Sequence, residues 1–228
     1  MGEPDRDTVS FAFLIMSPHY WGLGGLFMIL QTNSPLSAYL EESALIDHTH
    51  PAIAEWAAAR EVSGRSDAEI AREAFEFVRD GIAHSWDIQS PRVTAKASDV
   101  LEHGEGICYA KSHLLAALLR RQNIPAGVCY QRLTLGDTPD TGYCVHALNT
   151  VYLDSLGRWI RLDARGNKPG VNAQFSLNEE KLAFAVRPKI GECDYPTNYA
   201  VPHPKIAATL FDNTDCRAMY AYHLPTEL

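Results

Sequence analysis

The chain has 228 residues, of which 46% are hydrophobic and 21% charged, enough to bury a sizeable core and too apolar for an intrinsically disordered protein. Twenty Lys and Arg against 28 Asp and Glu give a formal charge of -8. Without a basic stripe to follow a phosphate backbone, nucleic acid is excluded as a partner. Five cysteines form an odd set with no CxxC pair, so neither a disulfide framework nor a zinc ribbon is expected. A reducing, cytoplasmic setting suits such usage, and no cofactor or resident metal is expected.

Residues 10–30 carry no Asp, Glu, Lys or Arg and are about as long as a bilayer span. The preceding Glu3, Asp5, Arg6 and Asp7 are net acidic, unlike the start of an export signal, and Pro18, His19, Gly22, Gly24 and Gly25 interrupt the run. A membrane role is therefore disfavoured. Residues 1–30 are read as an apolar extension, either packed on the domain or preceding a true start at Met16 or Met28, and residues 31–228 as one domain.

Chain order then gives helices. His50-Pro51 marks a helix start, with an Ala-rich run over 53–60 closed by Gly64. Ser66-Asp67 caps a second helix in which Ile70, Ala74, Phe77 and Val78 recur at helical spacing, leaving Arg72, Glu73, Glu76 and Arg79 outside. Gly81 ends it. Ser98-Asp99 opens a short turn of helix through Leu101. Beyond Gly104 and Gly106, Cys108 opens a helix running through Leu114, Leu115, Leu118 and Leu119 to Arg121, and Pro125 prevents its continuation.

After Pro125 the period changes to that of strands: 128–133, 143–153 and 158–164, with a loop over 136–142. An antiparallel sheet thus follows the helices, an α+β arrangement with a helix bearing a cysteine packed on the sheet. One further helix is expected at 178–185, and the rest of the chain to Leu228 is expected to wrap the domain.

Cys108 occupies a chemically special position, because the free amides and positive end of a helix dipole favour negative charge on a sulfur placed there. The turn Asp154-Ser155-Leu156-Gly157, if even in length, pairs Leu153 with Arg158 and puts position 163 opposite 148. Asp163 then shares a face with His146 as its diagonal neighbour; an odd-length turn would place it on the other face. The expected roles are Cys108 as nucleophile, His146 as general base and acid, and Asp163 as the group that orients the imidazole. The backbone amide of Cys108 is the natural first oxyanion donor. Trp86 and Gln89 lie upstream as candidates for a second, though packing and surface roles suit them better. Cys129 and Cys144, in strands, read as small buried hydrophobes.

These residues resemble the transglutaminase-like superfamily, whose papain-type core carries Cys, His and Asp in that chain order. Ala97-Ser98-Asp99-Val100-Leu101 followed by Gly104-x-Gly106-Ile107-Cys108 is similar to the family's nucleophile segment, and Leu115 to Pro125, LAALLRRQNIP, to its Leu-Leu-Arg and Gly-Ile-Pro continuation. His146-Ala147 through Val151-Tyr152, then Gly157-Arg158-Trp159-Ile160 and Asp163, is similar to its His and Asp strands. The resemblance covers roughly 70–170, while 47–51 and 191–204 are similar to a bacterial branch. It implies a transglutaminase-like fold and amide or acyl chemistry on a protein or peptide substrate or a small amide. Departures at Tyr109, Leu148 and Ala164-Arg165 leave the substrate open.

Three function classes follow. The favoured one is a cysteine-dependent acyl-transfer enzyme hydrolysing amide bonds through a thioester, with transfer to amines (a protein-glutamine transglutaminase) as the alternative outcome. A non-catalytic binding or scaffold domain would have no reason to keep the three residues. A metal site at His48-x-His50 with Asp47 is the weakest, since His50 beside Pro51 reads better as a helix start.

Overall fold

A computed structural model describes residues 27–228 apart from 61 and 137; most of the apolar run at 10–30 lies outside the described residues. The helical half is α1 (Pro51–Ala58), α2 (Asp67–Gly81), α3 (Ala97–His103) and α4 (Cys108–Arg121). Their starts obey local chemistry. His50 accepts a bond from the Ala52 amide, Ser66 and Glu69 form a reciprocal capping box, and Asp47 accepts from both the amide and the hydroxyl of Ser98 at the start of α3. Asp47 and His50 therefore have helix-capping roles, and no cluster of three or more potential metal ligands occurs among the described residues.

The central element is α4, buried from Cys108 through Arg120. A helix apolar on all sides must be enclosed, and its polar residues each find a main-chain carbonyl. Lys111 Nζ donates to Ile82 O at 2.5 Å, at the end of α2, while burial pulls its ammonium down to about 7. His113 Nδ1 is 2.8 Å from Ala95 O. Arg120 reaches Ala126 O, Glu41 O and Ala200 O. One helix is thereby tied to several segments.

The sheet runs in the order β1 (Gln31–Thr32), β7 (Cys193–Tyr199), β4 (Ala126–Thr134), β5 (Tyr143–Leu153), β6 (Arg158–Leu162). Only the β1–β7 pair is parallel. A small parallel pair, β2 (Ala83–His84) with β3 (Glu105–Gly106), leads into α4. Tyr109 Oη donates to Val145 O at 2.7 Å and Asn149 Nδ2 to Ser112 O at 2.8 Å, fixing α4 against β5. The fold is α+β. Among the described residues no helix is long and apolar enough to cross a membrane.

The β5–β6 register follows the even turn: Leu153 opposes Arg158 and Asn149 opposes Leu162, with Gly157 left-handed at φ 61°. Two expectations fail. No helix forms at 178–185, because Glu180 is held by Arg161 Nε and Nη2 at 2.9 and 2.5 Å and the Ala183 amide donates to Asp163; an i to i-4 ladder would withdraw that amide. The C-terminal part does more than wrap: it adds β7 to the sheet, then α5 (Pro204–Phe211) and α6 (Cys216–Tyr222). β6 also ends at Leu162, just before Asp163.

Gly127 in β4 is a contact that only glycine permits, since an added Cβ would lie 2.6 Å from Thr150 Oγ1 and 2.8 Å from Tyr199 O. Gly127→Ala is expected to lower stability by about 1–3 kcal/mol in urea unfolding. Gly81→Ala, whose Cβ meets only the Phe77 ring at 3.4 Å, should change it by less than about 1 kcal/mol.

Candidate active site

The approach to Cys108 is shaped by two glycines with different tasks. Gly104 closes α3 in the left-handed region at φ 67°. Gly106 has no room for a side chain, since its Cβ would meet Thr94 Oγ1 at 3.0 Å and Ala110 Cβ at 3.1 Å. The chain turns, passes close under Thr94 and enters α4 with Cys108 as its first residue. At that position the amide has no carbonyl one turn back to bond. The thiol is nearly buried, 9% exposed, and lines a cavity of about 430 Å³.

His146 shares that cavity. Its Nε2 lies 2.9 Å from Asp163 Oδ2, and the Cys108 sulfur is near enough to favour charge on its ring. Asp163 is 1% exposed. It accepts from the Arg165 amide at 3.2 Å on Oδ1 and from the Ala183 amide at 3.0 Å on Oδ2. Burial alone would raise the pKa of this carboxyl; the His146 charge and the hydrogen bonds prevail and hold it below the usual carboxylate range. An ionised carboxylate only accepts, so Nε2 carries the proton and Nδ1 is the nitrogen left for Cys108. Burial opposes charge on the ring as well, yet Asp163 and the Cys108 sulfur outweigh it and push the imidazole up to about 10.

Around these three residues the cavity has one wall from 183–192 and another from α6. Phe184 meets the His146 ring edge-on, centroids 5.2 Å apart at 87°. Arg165 forks onto both Asp87 oxygens at 2.6 and 2.9 Å. Glu192, 3% exposed, accepts from Thr134 and Arg187, which hold its carboxyl at about 2. Tyr220 of α6 stacks on Trp86 at 4.4 Å and 11°. That stacking explains Trp86 as a packing residue, and the exposed Gln89 spends its amide on Trp86 O at 2.6 Å. Neither lines the cavity.

All five cysteines are free. Cys129 is buried, with its thiol pushed up by desolvation. Cys144 is half-buried and lines the cavity, its thiol pushed up to about 12 by burial. Cys144 is therefore part of the site wall, beyond the strand-core role expected of it. His84, Phe184 and Tyr220 carry no signal of such a role in the sequence, and Arg165 stands out there only as a departure from the family pattern. For Arg165, proximity to Asp163 was the available signal; the others arrive through long-range pairing.

Residues 56–164 match the family model of the Transglutaminase-like superfamily. This span belongs to the transglutaminase-like superfamily. It contains Cys108, His146 and Asp163, and its start in α1 precedes the expected core. Among solved structures, the chain is similar to a "Putative Cysteine Protease from Cytophaga hutchinsonii" at 19% identity and TM-score 0.43, covering 57% of this chain and 42% of that one. It is similar also to a "putative protease from Parabacteroides distasonis" at 13% identity and TM-score 0.36, covering 62% and 30%. The chain thus spans less than half the length of either. No curated protein matches it.

The ion pair sets a pH dependence. The folded-state pKa of His146 lies above the unfolded value of 6.5, so the protonated ring stabilises the fold fully below about 6.5, and that contribution fades as pH rises through about 10. The stability difference between wild type and His146→Gln, from urea unfolding, should shrink by at least about 1 kcal/mol between pH 6 and pH 10.

Proposed function

We propose that the chain is a cysteine-dependent acyl-transfer enzyme that hydrolyses amide or peptide bonds through a thioester, with Cys108, His146 and Asp163 as its catalytic residues. The observation that carries this reading is the Asp163–His146 pair sharing one cavity with the Cys108 sulfur at a helix start. Superfamily membership of 56–164 supports it.

In this mechanism His146 Nδ1 takes the thiol proton, and the Cys108 sulfur attacks the substrate carbonyl carbon, forming the C–S bond while the carbonyl electrons move to oxygen. The Cys108 amide, free at the first position of α4, donates to that oxygen. Collapse breaks the C–N bond, and His146 Nδ1 gives its proton to the departing amine. Water then enters; Nδ1 takes its proton as the hydroxyl adds to the thioester carbon, and the second collapse releases the carboxylic acid and restores the sulfur. Asp163 holds Nε2–H throughout, fixing the tautomer and balancing the imidazolium. Transfer to an amine in place of water uses the same thioester.

A protein or peptide is the proposed substrate class, and a reducing compartment suits a site built on a free thiol. The test compares iodoacetamide labelling of the five cysteines by peptide mass. Cys108 should label first at pH 7, and His146→Ala should slow it by tenfold or more as its partner base is lost. Labelling equal across the cysteines, or indifferent to His146, would refute the pair. In a screen of quenched peptides and amine incorporation, Cys108→Ala should abolish whichever activity the wild type shows.

A further inference from the structure

One imidazole on the cavity wall has no task in the mechanism above. His84 ends β2, and the pairing of His84 with Gly106 sets it beside the glycine two positions ahead of Cys108. Main-chain hydrogen bonds fix that placement, from Ala83 N to Gly104 O at 2.8 Å and from Ser85 N to Gly106 O at 3.2 Å. The side chain is only 5% exposed and lines the cavity together with Cys108 and His146. Its Nδ1 is buried with no hydrogen-bond partner among the described residues. Nε2 is not enclosed in that way and bonds no residue among those described, so it is the nitrogen left to meet a group bound in the cavity.

Acyl transfer supplies such a group. The tetrahedral oxyanion needs more than the single amide of Cys108, and the other strong donors around the cavity are spent: Tyr109 on Val145 O, Arg165 on Asp87, His146 on Asp163. Tyr220 has a hydroxyl, but its ring lies flat on Trp86 and it rides on the seven-residue α6. His84 instead belongs to the strand pair that leads directly into the nucleophile, so its position relative to Cys108 is set by the backbone.

We propose that His84 is the second oxyanion-hole donor, its N–H converging with the Cys108 amide on the oxygen of the tetrahedral intermediate. This rests on the reading of Cys108 as the nucleophile. Burial, with Arg165 nearby, keeps the imidazole pKa well below its usual value, so the ring is neutral with one N–H. A buried lone pair is tolerated more readily than a buried orphan N–H; the enclosed Nδ1 therefore takes the lone pair and Nε2 the proton. A neutral donor acts on charge that develops on the substrate oxygen and contributes little to the resting sulfur. The two can be separated chemically.

Two probes make that separation without knowledge of the natural substrate. p-Nitrophenyl acetate acetylates the thiol through a tetrahedral oxyanion, forming the thioester and releasing p-nitrophenolate; iodoacetamide alkylates it by displacing iodide at a saturated carbon, with no oxyanion. His84→Phe keeps an aromatic ring against Tyr220 and removes the donor, while His84→Gln keeps a donor. Acetylation of Cys108, followed by intact mass, should fall about tenfold or more in His84→Phe and stay within about threefold in His84→Gln, whereas alkylation stays within about twofold in both. Wild-type acetylation in His84→Phe overturns the proposal, as does an equal loss of both reactions, which would mark a structural residue. A selective acetylation loss confined to Tyr220→Phe would transfer the role to that hydroxyl and overturn it too. A wild type in which Cys108 takes up neither probe refutes the nucleophile itself, a result distinct from the others.

Discussion

A carboxylate with almost no contact with water governs the arrangement of this molecule. Enclosing an ion of that size costs several kcal/mol unless partners replace its hydration, and Asp163 meets the demand with two main-chain amides and the His146 ring. Each partner imposes a condition elsewhere. The ring must arrive from β5 in one register only, so the 154–157 turn must be even. The Ala183 amide must be free of any helix, so the chain after Ser176 must run irregularly over the sheet. The return is an imidazole whose orientation and tautomer are fixed before any ligand arrives.

The helix that presents the thiol is subject to a second set of constraints. Lys111, His113 and Arg120 place three polar side chains in the interior of α4, and all three bond main-chain carbonyls rather than carboxylates. Carbonyls at fixed places in the backbone leave each side chain one geometry, and the helix gains a defined rotation and height. Tyr109 adds a direct tie from the residue after the thiol to the strand that carries the imidazole. The position of Cys108 relative to His146 is therefore over-determined, which catalysis at a fixed distance requires.

What could be read from the chain was what local chemistry dictates. Pro51, the Ser66–Glu69 box, Gly104 and the all-round apolar run of α4 announce their structures within a few residues, and the hairpin arithmetic carries Asp163 to His146. The failures are non-local. The segment 178–185 has acceptable helix formers, yet Arg161 and Asp163, distant in sequence, claim Glu180 and Ala183. β7 holds Pro196 and lacks clean alternation; it is accepted because the register against β4 shifts between Val128 and Tyr130, where the missing proline N–H does no harm. β2 and β3 are two residues each, too short for any periodic signal, so His84 could not be seen next to Cys108.

Part of the cavity wall, including Phe184, Arg187, Glu192 and Tyr220, comes from beyond the span 56–164 that carries the superfamily pattern, while Leu133, Thr134 and Cys144 line it from within. The reactive groups and a part of the enclosing surface are thus encoded in separate stretches of the gene. Substitutions in the later stretch can re-sculpt that part of the wall while the thiol and imidazole keep their places, since its bonds to Asp163 come from backbone amides, at Arg165 and Ala183, that almost any residue but proline supplies. Selectivity can drift quickly in such a protein, and chemistry slowly.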